Sequence, residues 1–326
     1  MSQRVRTSID PNRFRPAPKP TRKGAASSGF APGDFSIAAR EHRVREIASR
    51  VETLPSLPSI LMEVLELAND AGTKASDFEE IIRKDQALVA KVLKLVNSPF
   101  FGLRHKVSSV SQAIVILGFK SLKSVVIAAK SSKLLDRQLH AYGFGPSGMW
   151  KHSMSCATIC RMLAVRLGLS TEDQEELFVG GLLHDVGKIL LAPYIEGFQT
   201  EFDARVAGTD LSSAERETVG IAHDDVGGRM ADQWGLAPSL AMLIRSHHAP
   251  DPPESERSLL TLQLANEFCG QLGVGRIDGP MEPSASYGRL LDRLHLAESR
   301  DEIEATVLLQ IEQLQETFEA LAGGND

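Results

Sequence analysis

Five of the nine histidines in this 326-residue chain fall in an ordered series with one aspartate: His152, the doublet His184-Asp185, His223, and the pair His247-His248. Imidazole nitrogens together with a carboxylate oxygen suit Zn, Fe, Mn or Ni, and one carboxylate can bridge two ions. Ions held this way lower the pKa of bound water to roughly 7 and polarise a phosphoryl oxygen. Lys188 follows His184 by four residues and shares its helix face. It either neutralises Asp185 as a salt bridge or stabilises charge on a phosphate.

Each position also has a plainer role open to it. His152 begins the stripe His152, Cys156, Ile159, Cys160 and Leu163, which turns it inward as a ligand or as a satisfied core histidine. Cys156 and Cys160 on that face read as core cysteines rather than zinc thiolates, because buried free cysteine packs as a small apolar group. His184-Asp185 sits in FVGGLLHDVGKILL, an almost continuously apolar helix. Two polar groups there need a partner, a cavity or a metal, since each costs about 1 to 3 kcal/mol if buried unpaired. His223 borders the stripe Val219, Ala222, Val226 and Met230 within ERETVGIAHDDVGGRMADQW. His247 and His248 end LAMLIRSHH ahead of Ala249-Pro250, where a protonated histidine also suits the helix dipole.

The elements that must position these groups read as helices throughout. Leu57, Ile60, Leu61, Val64, Leu65 and Ala68 recur at the helical period, as do Leu88, Val92, Leu95 and Val96 before Ser98-Pro99. Asp77 is expected to cap DFEEIIRK, and Ser108 or Ser109 to cap SVSQAIVILG, which Gly118 closes. EDQEEL at 172–177 reads as a solvated helix start, with acids complementing the dipole. Near the C-terminus, Ile303, Val307, Leu308, Ile311, Leu314, Phe318 and Leu321 line one side of a long helix. Its default is to pack on the chain's own core; packing on a second copy would make a homodimer.

At 42% hydrophobic and 24% charged residues the chain can bury a sizeable core, which excludes wholesale disorder. Residues 1–40 differ: eight Lys or Arg against two Asp or Glu give +6, which leaves −12 on residues 41–326 of a chain with net charge −6. Their Pro-, Gly- and Ser-rich composition predicts a disordered basic tail, and nucleic acid is expected as a partner through that tail alone. Three unevenly placed cysteines do not make a disulfide framework. With no apolar N-terminal stretch and only a short apolar run at 125–129, the expectation is a cytoplasmic chain with no membrane span.

The strings LPSLPSILMEVLELAND, IIRKDQALVAKVLKLVNSPFFGL and VSSVSQAIVILGFKSLKSVVIA, with Pro55, Pro58, Asp85, Asn97 to Gly102 and Ala113 to Gly118 in order, resemble the HDOD domain of bacterial signalling proteins. HDVGK with its flanking histidines resembles the HD superfamily of metal-dependent phosphohydrolases. These resemblances imply an all-α, multi-helix orthogonal bundle behind the disordered tail. Its parts would be a helical subdomain at 41–145, an HD-like subdomain at 146–275 and a helical extension at 276–326.

The HD resemblance also implies a ligand set. His152, His184 and Asp185 would serve one divalent ion (Fe, Mn or Zn), with Asp185 bridging to a second held by His223, His247 and His248. Asn266 stands where the superfamily pattern ends in Asp and is a weaker ligand, and the Gly-Tyr-Pro element of the cyclic-di-GMP phosphodiesterase branch is missing after His248. The resemblance therefore implies a regulatory module that binds a signalling protein or a nucleotide-type ligand. The alternative it leaves is a metal-dependent phosphohydrolase or nucleotide phosphodiesterase in which Asp185 and Lys188 are catalytic.

Overall fold

The computed structural model describes residues 36–53, 74–98, 101, 103–253 and 255–322. Most of the basic tail and the 57–69 stripe lie outside them. Helices and their connections make up the described residues, with no strand and a single isolated antiparallel bridge between Phe144 and Arg276.

Helix α1 (Ile37–Glu52) starts ahead of the expected tail boundary at 40, because the Ser36 hydroxyl accepts the Ala39 N–H and Ala39, Ile47 and Val51 are buried. In α2 (Ala75–Arg83) the cap falls on Lys74 rather than Asp77. The helix runs back through Ala75 and Ser76, so Asp77 sits in its first turn and accepts the Lys74 N–H at 3.0 Å. Asp85 caps α3 (Gln86–Val96) by accepting the Leu88 N–H at 3.0 Å. Ser109 caps α4 (Val110–Leu117), and Gly118 at φ 80° supplies the left-handed turn into α5 (Phe119–Leu135). Asn97 holds the long loop between α3 and α4: its amide donates to the Leu93 and Val107 carbonyls and accepts the Val107 N–H, each at 2.7 Å.

The second half begins with α6 (Gly148–Arg166) and α7 (Thr171–Leu183), which pack along each other. Then come α8 (Gly187–Glu196), α9 (Gln199–Val206), α10 (Leu211–Val219), α11 (His223–Gln233) and α12 (Pro238–Ser246). Helix α13 (Arg257–Gln271) lies on α6 and α7, followed by α14 (Tyr287–Arg293) and α15 (Arg300–Ala322). Helix α5 ties the halves together by packing on both α3 and α7.

One apolar core runs from Ile47 through Leu122, Phe178 and Ile244 to Phe318, and a second gathers α6, α13, α14 and α15 around Ile159, Leu260 and Val307. Helix α15 folds back on α6 and α3, with the rings of Phe318 and Trp150 edge to face at 6.4 Å. The stretch 171–196 is long and apolar enough to cross a membrane, yet its most apolar part is mostly buried within the fold. Its acidic start is not wholly solvated either. Glu175 is buried on the inner face of α7, where Arg161 (3.0 Å) and the Ser121 hydroxyl (2.8 Å) compensate its charge.

Candidate metal centre

The apolar run expected to be one helix around His184-Asp185 is interrupted there. Between α7 and α8 the chain tightens into i→i+3 bonds: Val186 N–H to Leu183 (3.0 Å), Lys188 N–H to Asp185 (2.9 Å) and Ile189 N–H to Val186 (3.2 Å). The tightened turn aims His184 and Asp185 at one point. Two glycines let other elements approach it. A Cβ on Gly181 would run into the backbone of Ala157 and Cys156 on α6, and one on Gly187 into that of His223 and Gly227 on α11. The string through His223 forms two helices, because Gly220 at φ 95° ends α10 and puts His223 at the first position of α11.

All five histidines of the series meet at Asp185. The Nε2 atoms of His152 and His184 each lie 3.4 Å from Asp185 Oδ2 and 3.4 Å from each other. On the other side, His223 Nε2 is 3.3 Å and His247 Nε2 3.6 Å from Oδ1, with 3.1 Å between them. The His248 ring stands 4.3 Å from that of His247 and 5.0 Å from that of His223. The side chains thus form two groups that share one carboxylate, and within each group the ligand atoms lie within 4.8 Å of one another.

Tautomers follow from the partners on the far side of each ring. His184 Nδ1 faces the Gly181 carbonyl at 2.8 Å, His247 Nδ1 the Ile244 carbonyl at 2.7 Å, and His223 Nδ1 the Glu215 carboxylate at 2.7 Å. Each partner only accepts, so each Nδ1 carries a proton and each Nε2 points at Asp185, where it donates while it holds a proton and offers a lone pair once that proton is lost. Imidazole nitrogens and carboxylate oxygens therefore converge in a buried space that only His248 leaves half-exposed. Asp185 Oδ1, His152 Nδ1 and His248 Nε2 are buried with no hydrogen-bond partner. A divalent cation on each side would satisfy Oδ1 and the converging nitrogens, so this donor set fits a metal pair.

Charge is arranged to the same end. Burial would raise the Asp185 carboxyl, but the His184 and Lys188 charges, with hydrogen bonds from His152 and His184, hold it well below the ordinary carboxylate range. Lys188 Nζ binds Oδ2 at 2.7 Å, so the salt-bridge role is the one seen. Burial, with the charges on His247 and His223, lowers His248, and burial lowers His152. His247 is depressed to about 4, chiefly by burial. Burial opposes a proton on His184, but the Asp185 carboxylate and the Cys156 sulfur together raise that imidazole to about 10. Two more residues of the assembly have no signal in the histidine spacing. Glu215 accepts both His223 N–H groups and the Tyr142 hydroxyl, and burial followed by the Glu215 charge keeps that phenol well above its usual range.

Asn266 is half-buried on α13 and makes no hydrogen bond to the cluster. The cysteines enter neither ligand group: Cys156 contacts His184, Cys160 and Cys269 in the apolar core. The centre is covered as well as buried. Tyr142 and Phe144 hold their rings 5.5 and 5.6 Å from Lys188 Nζ, and Phe144 also packs on His152 at 5.3 Å. Two surface depressions, one beside Ile37 and Arg216 and one beside Leu169 and Ser239, include no residue of the cluster.

Comparison with known proteins places this geometry. The profile of the HDOD domain matches residues 54–250. An uncharacterized protein of Treponema pallidum (strain Nichols) is 25% identical over 281 residues, 84% of this chain and 51% of its own length. A ribonuclease Y of Fervidobacterium nodosum is 24% identical over 187 residues, 57% of this chain and 27% of that protein. The chain thus spans about half of the first relative and about a quarter of the second. A solved Shewanella amazonensis SB2B structure, provisionally described as a phosphohydrolase, superposes with a TM-score of 0.64 at 25% identity, covering 82% of this chain and 97% of its own.

Proposed function

This chain belongs to the HDOD domain family, and from that premise we propose that it is a regulatory module of bacterial signalling built around a pair of divalent metal ions. The observation that most supports the reading is the Asp185 carboxylate, flanked on each oxygen by imidazoles, of which His184, His223 and His247 already commit their Nδ1 protons elsewhere. His152, His184 and Oδ2 would hold one ion; Oδ1, His223, His247 and His248 would hold the other. Such ions, when bound, supply Lewis acidity and a water whose pKa falls to roughly 7. The chain's own groups fix the imidazole orientations, keep Asp185 ionised through Lys188, and shut out bulk water with Tyr142 and Phe144. A sealed centre favours a structural or signal-dependent role over steady turnover. The output would be contact with a partner signalling protein or capture of a nucleotide-type ligand.

A second reading, hydrolysis of a phosphoester, is favoured by one further contact. Lys188 Nζ lies 2.7 Å from Asp185 Oδ2, where a small movement would carry its charge onto a phosphate. The provisional description of the Shewanella protein and the ribonuclease name of the Fervidobacterium relative make phosphoesters and RNA the substrates to try. The deciding experiment incubates Mn-, Fe- or Zn-loaded protein with cyclic and linear nucleotides and a short RNA. The regulatory reading expects metal without turnover. Turnover lost in Asp185→Ala would replace it with the hydrolase.

A further inference from the structure

Glu215 belongs to neither ligand group, yet it links the centre to its cover. It is completely buried on α10, and it accepts three hydrogen bonds. Oε2 takes the His223 backbone N–H at 2.8 Å and the His223 Nδ1–H at 2.7 Å, while Oε1 takes the Tyr142 hydroxyl at 2.6 Å. His184 and His247 lean on neutral carbonyls, so His223 alone among these three has an anionic partner. An anion on Nδ1–H raises the basicity of Nε2 and fixes the ring plane, which favours a cation on the far side.

The other end of this chain of contacts is a strap, residues Tyr142 to Gly145, that lies across the centre. It is held from outside by residues next to α13: Ile277 N–H donates to the Gly143 carbonyl at 2.8 Å, Gly145 N–H to the Gly275 carbonyl at 3.1 Å, and Phe144 bridges Arg276. Gly143 adopts φ 69°, a left-handed backbone that favours glycine, so the strap's turn beneath that clamp depends on it. His184, Asp185 and His223 are fully buried, the strap covers the centre on its Lys188 and His152 side, and lifting it breaks the Tyr142–Glu215 bond.

We propose that Glu215 is a positioning residue of the metal centre and that, by sharing its two oxygens between His223 and Tyr142, it couples occupancy of the His223 side to closure of the Tyr142–Gly145 strap. This rests on the reading of the cluster as a metal pair. Closure keeps the Glu215 charge oriented on His223, and an ion on His223 strengthens the Nδ1–H bond that keeps Glu215 in place to receive Tyr142. Strap and ion therefore support one another, and a ligand that displaces the strap loosens one ion before the other.

The test uses the full chain, Mn²⁺ titration and hydrogen–deuterium exchange on wild type, Glu215→Gln and Tyr142→Phe. Glu215→Gln is expected to weaken one Mn²⁺ site by about 10- to 100-fold and leave the other unchanged. Tyr142→Phe is expected to keep both sites, speed Mn²⁺ release to chelator, and raise exchange at residues 142–145. In wild type, adding Mn²⁺ should slow exchange there. Unchanged affinities in Glu215→Gln, or equal release and exchange in Tyr142→Phe, overturn the coupling while the wild type still binds two ions. If Glu215→Gln does not fold, Tyr142→Phe decides alone. A wild type that takes up no Mn²⁺ sinks the metal-pair reading itself.

Discussion

Asp185 is the residue with no neighbour able to replace it, because only a carboxylate offers one anionic oxygen to each group of imidazoles. Asp185→Asn keeps the shape but gives up the charge, one anionic oxygen and the Lys188 partner. We expect both ions to bind at least about 100-fold more weakly, beyond the 10- to 100-fold typical of outer partners. His152→Ala should remove one ion and spare the other; calorimetric Mn²⁺ titration reads both. The five histidines and Asp185 were legible because histidine is scarce and each lies in or beside an apolar run. Glu215 was not. In SSAERETVG it looks like one more surface acid, and the available signal was its place on the inward stripe Leu211, Ala214, Glu215, Thr218 and Val219. Glu175 was misplaced for the same reason, since acids in a first turn suggest solvent whichever face they occupy.

Periodicity marks where a helix lies more reliably than where it pauses. Apolar residues resume on both sides of His184-Asp185 and Lys188 at helical spacing, so the tightened turn at Leu183–Ile189 reads in the sequence as one helix carrying polar groups. Gly220 was the visible sign of the second break, because a left-handed residue ends a helix without altering the pattern around it. Caps were legible where serine preceded the run, as at Ser109, and ambiguous at Asp77, where the preceding Ala75 and Ser76 are also helical. Asp85 carries two duties: it caps α3, and its carboxylate pairs with Lys130 on α5. The Lys130 hydrogen bond, then the Leu88 N–H, holds its folded pKa below 3.8. Its contribution is therefore present above that value and is lost as pH falls through the lowered one. Asp85→Asn retains a capping oxygen and loses the pair, so it should cost about 1 kcal/mol near neutral pH by urea unfolding. The gap to wild type should close as the medium becomes strongly acid.

Over the whole chain, the helical architecture followed from periodicity and the ordered family strings, while the relation between distant segments did not. Nothing local indicates that residues 275–278 clamp a strap 130 residues earlier in the chain, about the spacing of Gly145 from Gly275, because that contact consists of backbone hydrogen bonds around glycines. The inward stripe of α15 was visible, and its partners prove to be α3 and α6 of the same chain. Net charge was uninformative in a similar way. Residues 74–137 hold twelve Lys or Arg against five Asp or Glu, so the −12 remaining after the tail is concentrated beyond them. What unites the molecule is the centre, where α6, the α7–α8 turn, α11 and the end of α12 each deliver a ligand to one carboxylate. On the function proposed above, this convergence holds two divalent ions. Elemental analysis of protein purified without chelator, repeated after Mn, Fe or Zn is added and excess removed, measures it directly. Close to two ions per chain are expected; a chain that carries none and takes up none under either condition would rule the metal pair out.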